Sequence, residues 1–197
     1  MAEKRYVLGD RSGWLRVKLE PSKKIVSLPE YLKVEFADTR SNRDHFKILE
    51  GVHKNKLASV VVKSGNGSHL GKPMPTYTEG AKLAVDISKL QLVYKRTTVK
   101  ITVNSSAKPK VGTHKIQIPD FPHKLGARYL PKSKYALSWF FLGTGTASTS
   151  NDRYLHTGQA SLGCVTVDTD KWTDLYRLLI LSRAGDGRSV GTITIKA

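Results

Sequence analysis

The chain has 197 residues, 33 of them Lys or Arg against 16 Asp or Glu, for a formal net charge of +17 and a pI near 10.0. Its 39% hydrophobic content supports a packed core, and its length suits one good-sized domain or two small ones. No stretch is long and apolar enough to read as a membrane span, so no integral membrane segment is expected, and a lone cysteine, Cys164, excludes an internal disulfide.

A field of this sign attracts polyanions: nucleic acid, anionic lipid surfaces or the acidic polymers of cell walls. The aromatic residues do not sit within the basic runs, as a base-stacking platform would require. The charged start, Met1 to Asp10, lacks an apolar h-region, so no ordinary signal peptide is visible. Three expectations follow: work in the cytosol, a leader already removed, or export by a specialised route.

Residues 1–80 read as a small β-rich module, with a wall-binding or targeting role as the expectation. Trp14 to Leu19 alternates apolar and basic residues, the period of a half-buried strand. Lys24 to Leu28, Tyr31 to Phe36, His45 to Leu49 and Leu57 to Lys63 are further strands, with turns at Gly9-Asp10, Ser12-Gly13 and Gly65-Asn-Gly67. His45, His53 and His69 are too dispersed to read as a metal site, and no cofactor is called for. Lys72-Pro-Met-Pro-Thr-Tyr-Thr-Glu-Gly80 interrupts the pattern and sets the boundary of a second domain, 81–197.

Ala81 to Tyr94 carries two strand-like runs, and Thr97 to Val103 and Val111 to Ile118 are strands. Ser138-Trp-Phe-Phe-Leu142 reads as an internal strand, and Gly143 to Asp152 as a small polar loop. Trp172, Leu175, Tyr176, Leu179 and Ile180 fall at helical spacing, predicting one helix over about 170–182 capped by Thr169 or Asp170. Ser189 to Ile195 closes the chain as a strand. The fold class is therefore mainly β, sandwich-like, with one helix.

Chemistry concentrates in Arg153 to Val167. Cys164 follows Ser161-Leu-Gly163, and His156 lies eight residues upstream. A cysteine on a Gly-containing turn with a histidine in reach is the minimum equipment for thiolate chemistry. The same residues also fit a small buried hydrophobe beside a strand and an incidental histidine.

His156-Thr-Gly158 followed by Ser161-Leu-Gly-Cys-Val165 resembles the active-site motif of the L,D-transpeptidase catalytic domain family (YkuD-type), and Lys108-Pro109 before Val111-Gly-Thr-His-Lys-Ile116 resembles the strand that precedes it there. The resemblance covers roughly residues 85–197. Leu162 stands where the family's second histidine usually does, Thr166 where an arginine is common, and the gap from His156 to Cys164 is short.

The resemblance implies a peptidoglycan stem-peptide enzyme, an L,D-transpeptidase or L,D-carboxypeptidase. Cys164 would be the nucleophile, His156 its base, the Thr157 carbonyl the orienting group and Gly163 part of the oxyanion turn. Ser161, Tyr154, Arg153, His123 and Trp139 would border the substrate, with Arg153 able to meet a carboxylate. Periplasm or cell wall would be the place of action. A leaderless antibacterial effector, with an acidic immunity protein or secretion chaperone as partner, is one form of this expectation. The alternative, from a different class, is a basic β-rich module binding nucleic acid or acidic glycan, with Cys164 structural.

Overall fold

In a computed structural model, described over residues 3–144, 153–159 and 162–197, the chain forms two large β-sheets and one α-helix. The first sheet holds β1 (Glu3–Val7), β2 (Trp14–Glu20), β3 (Ile25–Pro29), β4 (Lys33–Arg40), β5 (Arg43–Ile48), β6 (Leu57–Val61) and β7 (Leu70–Gly71). Their order is β3-β2-β6-β5-β4-β1-β7, every pairing antiparallel. Alternation in sequence becomes alternation in burial: along β5, Asp44, Phe46 and Ile48 are buried while the residues between them are partly exposed. β1 is a strand that the sequence pattern, broken by charged Glu3, Lys4 and Arg5, does not announce.

A short strand, β8 (Thr78–Glu79), lies between the sheets and pairs with β16 (Ser182–Arg183). The second sheet comprises β9 (Ala81–Asp86), β10 (Gln91–Tyr94), β11 (Thr97–Thr102), β12 (Gly112–Gln117), β13 (Phe140–Phe141), β14 (Tyr154–Thr157), β15 (Val165–Val167) and β17 (Ser189–Lys196). Its order is β12-β17-β9-β10-β11-β15-β14-β13, and none of the strands before residue 72 joins it. Two of its pairings are parallel, β17 with β9 and β14 with β15. The protein is thus mainly β, as its sequence predicts.

The helix α1 (Thr169–Ile180) starts after Asp168 in the N-cap position and buries Trp172, Leu175, Tyr176, Leu179 and Ile180. Each such side chain contributes roughly 1.5–3 kcal/mol relative to exposure. A 3-10 segment at Lys124–Tyr129 is a helical element absent from the sequence-based expectation.

The predicted strand 138–142 is shorter than expected. Only Phe140–Phe141 pairs with a neighbour strand, and Leu142 makes a bridge to Ile116. The Ser138 N–H instead donates to the Tyr135 carbonyl, which turns the chain ahead of Trp139.

The two sheets share one continuous apolar cluster. Across their junction, Tyr135 stacks on Tyr176 with centroids 3.9 Å apart, and Tyr176 donates from its hydroxyl to the Glu30 carbonyl. Arg183 donates from Nε to Glu50 Oε2 at 2.7 Å, an ion pair in which both side chains are less than a tenth exposed. A fourth link runs from the Tyr77 hydroxyl to the Tyr31 carbonyl, 2.8 Å.

Candidate active site

The site grows out of the parallel pair β14 and β15. Parallel strands usually need a crossover of a dozen or more residues. Here only 158–164 intervene, and two glycines let the chain turn back within that length. Gly158 has φ +141° and Gly163 φ +77°, a left-handed conformation that disfavours any side chain. Both strands are buried throughout, as befits a parallel pair covered on both faces.

The register sets His156 opposite Thr166. The pairing thus carries the chain from His156 back to the strand that Cys164 immediately precedes. His156 and Cys164 line one cavity of about 480 Å³, within the size range of small-molecule and peptide sites.

His156 is 4% exposed and tightly held. Its Nδ1 lies 2.9 Å from the Thr157 carbonyl oxygen, so the proton belongs on Nδ1 and the basic lone pair on Nε2. Nε2 faces the Thr166 hydroxyl at 3.4 Å. Burial pushes the imidazole down to about 4; the Thr157 carbonyl pulls the other way, and His123 adds to the depression. The ring is therefore neutral at physiological pH. Thr157 is itself fixed, its hydroxyl donating to the Val167 carbonyl at 3.0 Å.

Trp139 lies flat against His156, with ring centroids 4.1 Å apart and planes 17° from parallel. Behind it come His123, 4.5 Å from Trp139, and Phe121, 4.3 Å from His123, which makes a column of four stacked rings. Asp120 braces the column by accepting from both His123 Nε2 at 3.2 Å and the Tyr154 hydroxyl at 3.3 Å. Of the expected pocket residues, Trp139 lines the cavity, whereas His123 and Tyr154 form the layer behind it.

Arg153 lies elsewhere than on the cavity lining. Its guanidinium packs so closely over Gly163 that a Cβ there would sit 2.3 Å from Nε. Thus Gly163 provides both the turn and the space for Arg153. Ser161 lies outside the described residues, as does most of the 143–152 loop. Cys164 is 8% exposed, at the end of the crossover where β15 begins.

Sequence reasoning missed one wall of the cavity. Lys124, Leu125, Arg128 and Tyr129 reach it from the 3-10 segment. The Tyr129 hydroxyl accepts from the Gln159 N–H at 3.0 Å, and its ring fills the space beside Gly158. Leu125 and Leu162, 76% and 74% exposed, give the mouth an apolar rim beside the two basic residues. Pro122 and Pro131, which bracket this segment, are the signal that could have marked it.

No protein-family model matches the chain, and no curated protein matches it. Among solved structures it is similar to L,D-transpeptidase 1 of Mycobacterium tuberculosis, at 11% identity and a TM-score of 0.38 over 92% of this chain and 81% of that one. An L,D-transpeptidase from Mycobacterium tuberculosis H37Rv gives 9% identity and 0.36 over 92% and 80%. L,D-transpeptidase 3 of Mycobacterium tuberculosis, in complex with a faropenem-derived adduct, gives 9% and 0.37 over 92% and 81%. With TM-scores below 0.5, function has to be read from the residues of the site.

Proposed function

We propose that this chain is a cysteine acyltransferase acting on peptidoglycan stem peptides, as an L,D-transpeptidase, an L,D-carboxypeptidase or both. The observation that carries the reading is the convergence of Cys164 and His156 on one cavity, with the imidazole fixed by the Thr157 carbonyl so that Nε2 is its base. The sequence motif around both residues supports the substrate class.

In this reading, Nε2 of His156 takes the Cys164 proton as sulfur attacks the carbonyl carbon before the terminal D-alanine. A neutral imidazole depressed to about 4 makes the resting pair thiol and imidazole, so the proton moves during attack. The N–H groups of Gly163 and Cys164 hold the oxyanion. The C–N bond breaks, the proton passes from Nε2 to the leaving amine, and an acyl thioester remains on Cys164. An acceptor amine then attacks the thioester to give a crosslink, or water attacks to give trimming. The attacker's proton returns through His156 to the thiolate.

Residues 1–80 act in this account as a wall-binding module joined to the catalytic part, 81–197. The place of action is the periplasm or cell wall, and delivery as an antibacterial effector is one route there.

Alkylation of Cys164 by iodoacetamide near pH 7 tests the pairing. His156→Ala should slow it about tenfold, because the thiol loses its general base. Equal rates in the two proteins, with both folded, would refute the pairing of these two residues.

A further inference from the structure

We infer that the outer side of the first sheet carries a binding groove for a linear phosphodiester polymer without bases, separate from the cavity at Cys164. The groove, about 1030 Å³, is lined by Arg11, Arg16, Lys18, Arg43, Lys63 and Lys134. This volume far exceeds one phosphate group and suits several units of a flexible chain.

Its one lining carboxylate, Asp10, is already engaged, accepting from the Ser12 N–H at 2.7 Å and the Ser12 hydroxyl at 2.6 Å. Lys134 pairs with Glu30, and Arg43 donates to Ser59. Among the described residues, no carboxylate lies within ion-pair distance of Arg11, Arg16 or Lys63. Three uncompensated cations therefore face one groove, and two of them are guanidinium groups, whose fork matches a phosphate.

Trp14 adds a second observation. Trp139 and Trp172 donate their indole N–H groups to the carbonyls of Ala136 and Tyr135, but Trp14, in the groove lining, has no acceptor among the described residues. Buried donors are normally satisfied. The groove thus offers positive charge, and its one lining carboxylate is already engaged.

The absence of an exposed aromatic on the lining decides between polymers. Trp14 is 2% exposed, and the one other ring on the lining is the partly buried imidazole of His69, so the groove presents no exposed Phe, Tyr or Trp on which a base could stack. A phosphodiester chain of polyols needs no such platform.

The test is fluorescence anisotropy of a labelled poly(glycerol phosphate) chain with the full-length protein, at low and at physiological salt. Binding should weaken as salt rises. Arg16→Glu with Lys63→Glu should lose about tenfold or more in affinity. Lys82→Glu with Lys100→Glu, exposed on the second sheet and equal in charge change, should stay within about twofold. Arg11→Ala, in the loop after β1, is a fold-neutral second variant and should lose about threefold. Equal losses for groove and control variants would overturn the proposal by assigning binding to the whole-molecule field. No binding by the folded protein at low salt would also overturn it, and tighter groove-dependent binding of an oligothymidylate would replace the polymer by nucleic acid. None of these outcomes depends on Cys164.

Discussion

Nδ1 of His156 lies 2.9 Å from the carbonyl oxygen of Thr157, the next residue along the same strand. That contact sets the tautomer, leaves Nε2 as the base and holds the ring against Trp139. A surface histidine would rotate freely; this one is locked by its own backbone and by a stacked indole.

Its burial also makes the protein acid-sensitive in a defined way. His156 sits near 4 in the fold against 6.5 ordinarily, so between these values the unfolded chain binds the extra proton and the folded chain does not. Stability from this residue is whole above about pH 6.5 and lost as pH falls toward 4, by roughly 3 kcal/mol at the limit. His53 and His69, also lowered by burial, act with the same sign, so the comparison must be made between variants. Denaturant titrations of wild type and His156→Gln from pH 7 to pH 4 should show a shallower decline in the variant. Parallel declines would mean that His156 titrates normally.

Gly163 and Arg153 should be coupled. Gly163→Ala faces a strained φ of +77° and a Cβ position only 2.3 Å from the Arg153 Nε. The backbone part costs about 1–2 kcal/mol and cannot be relieved; the collision can, by moving the guanidinium. The double variant with Arg153→Ala should therefore be less destabilised than the sum of the single variants. Strict additivity in a denaturation cycle would show that Arg153 does not pack over this turn.

The junction between the sheets rests on the buried pair Arg183 and Glu50. Glu50→Ala strands the Arg183 guanidinium, which also packs over the Tyr77 ring at 4.5 Å. Loss of about 3–5 kcal/mol is expected, since breaking a buried pair leaves an uncompensated charge. Urea unfolding followed by tryptophan fluorescence would measure it, and a loss below about 1 kcal/mol would place the pair effectively in solvent.

Much of the architecture is legible because it rests on local periodicity. Trp172, Leu175, Tyr176, Leu179 and Ile180 declare one helical face, and the alternation in Trp14 to Glu20 declares a strand. What is not legible depends on pairing at a distance. The convergence of His156 and Cys164 on one cavity depends on the parallel pairing of β14 and β15, which no local pattern encodes. Apolar content alone read Ser138 to Leu142 as a strand, yet Trp139 serves the ring column instead. The 3-10 wall escaped notice because its Lys124-Leu-Gly-Ala-Arg-Tyr129 sequence is too short to show a helical face. Its Gly126 is required by packing: a Cβ there would fall 2.0 Å from the Ala136 carbonyl oxygen.

The most direct measurement is mass spectrometry of purified disaccharide tetrapeptides incubated with the wild type and with Cys164→Ala. The expected result is loss of the terminal D-alanine, or a dimer joined between two dibasic residues, with the wild type only. Unchanged muropeptides from folded protein with a reduced thiol would contradict the acyltransferase account and leave Cys164 a structural residue of a basic binding protein.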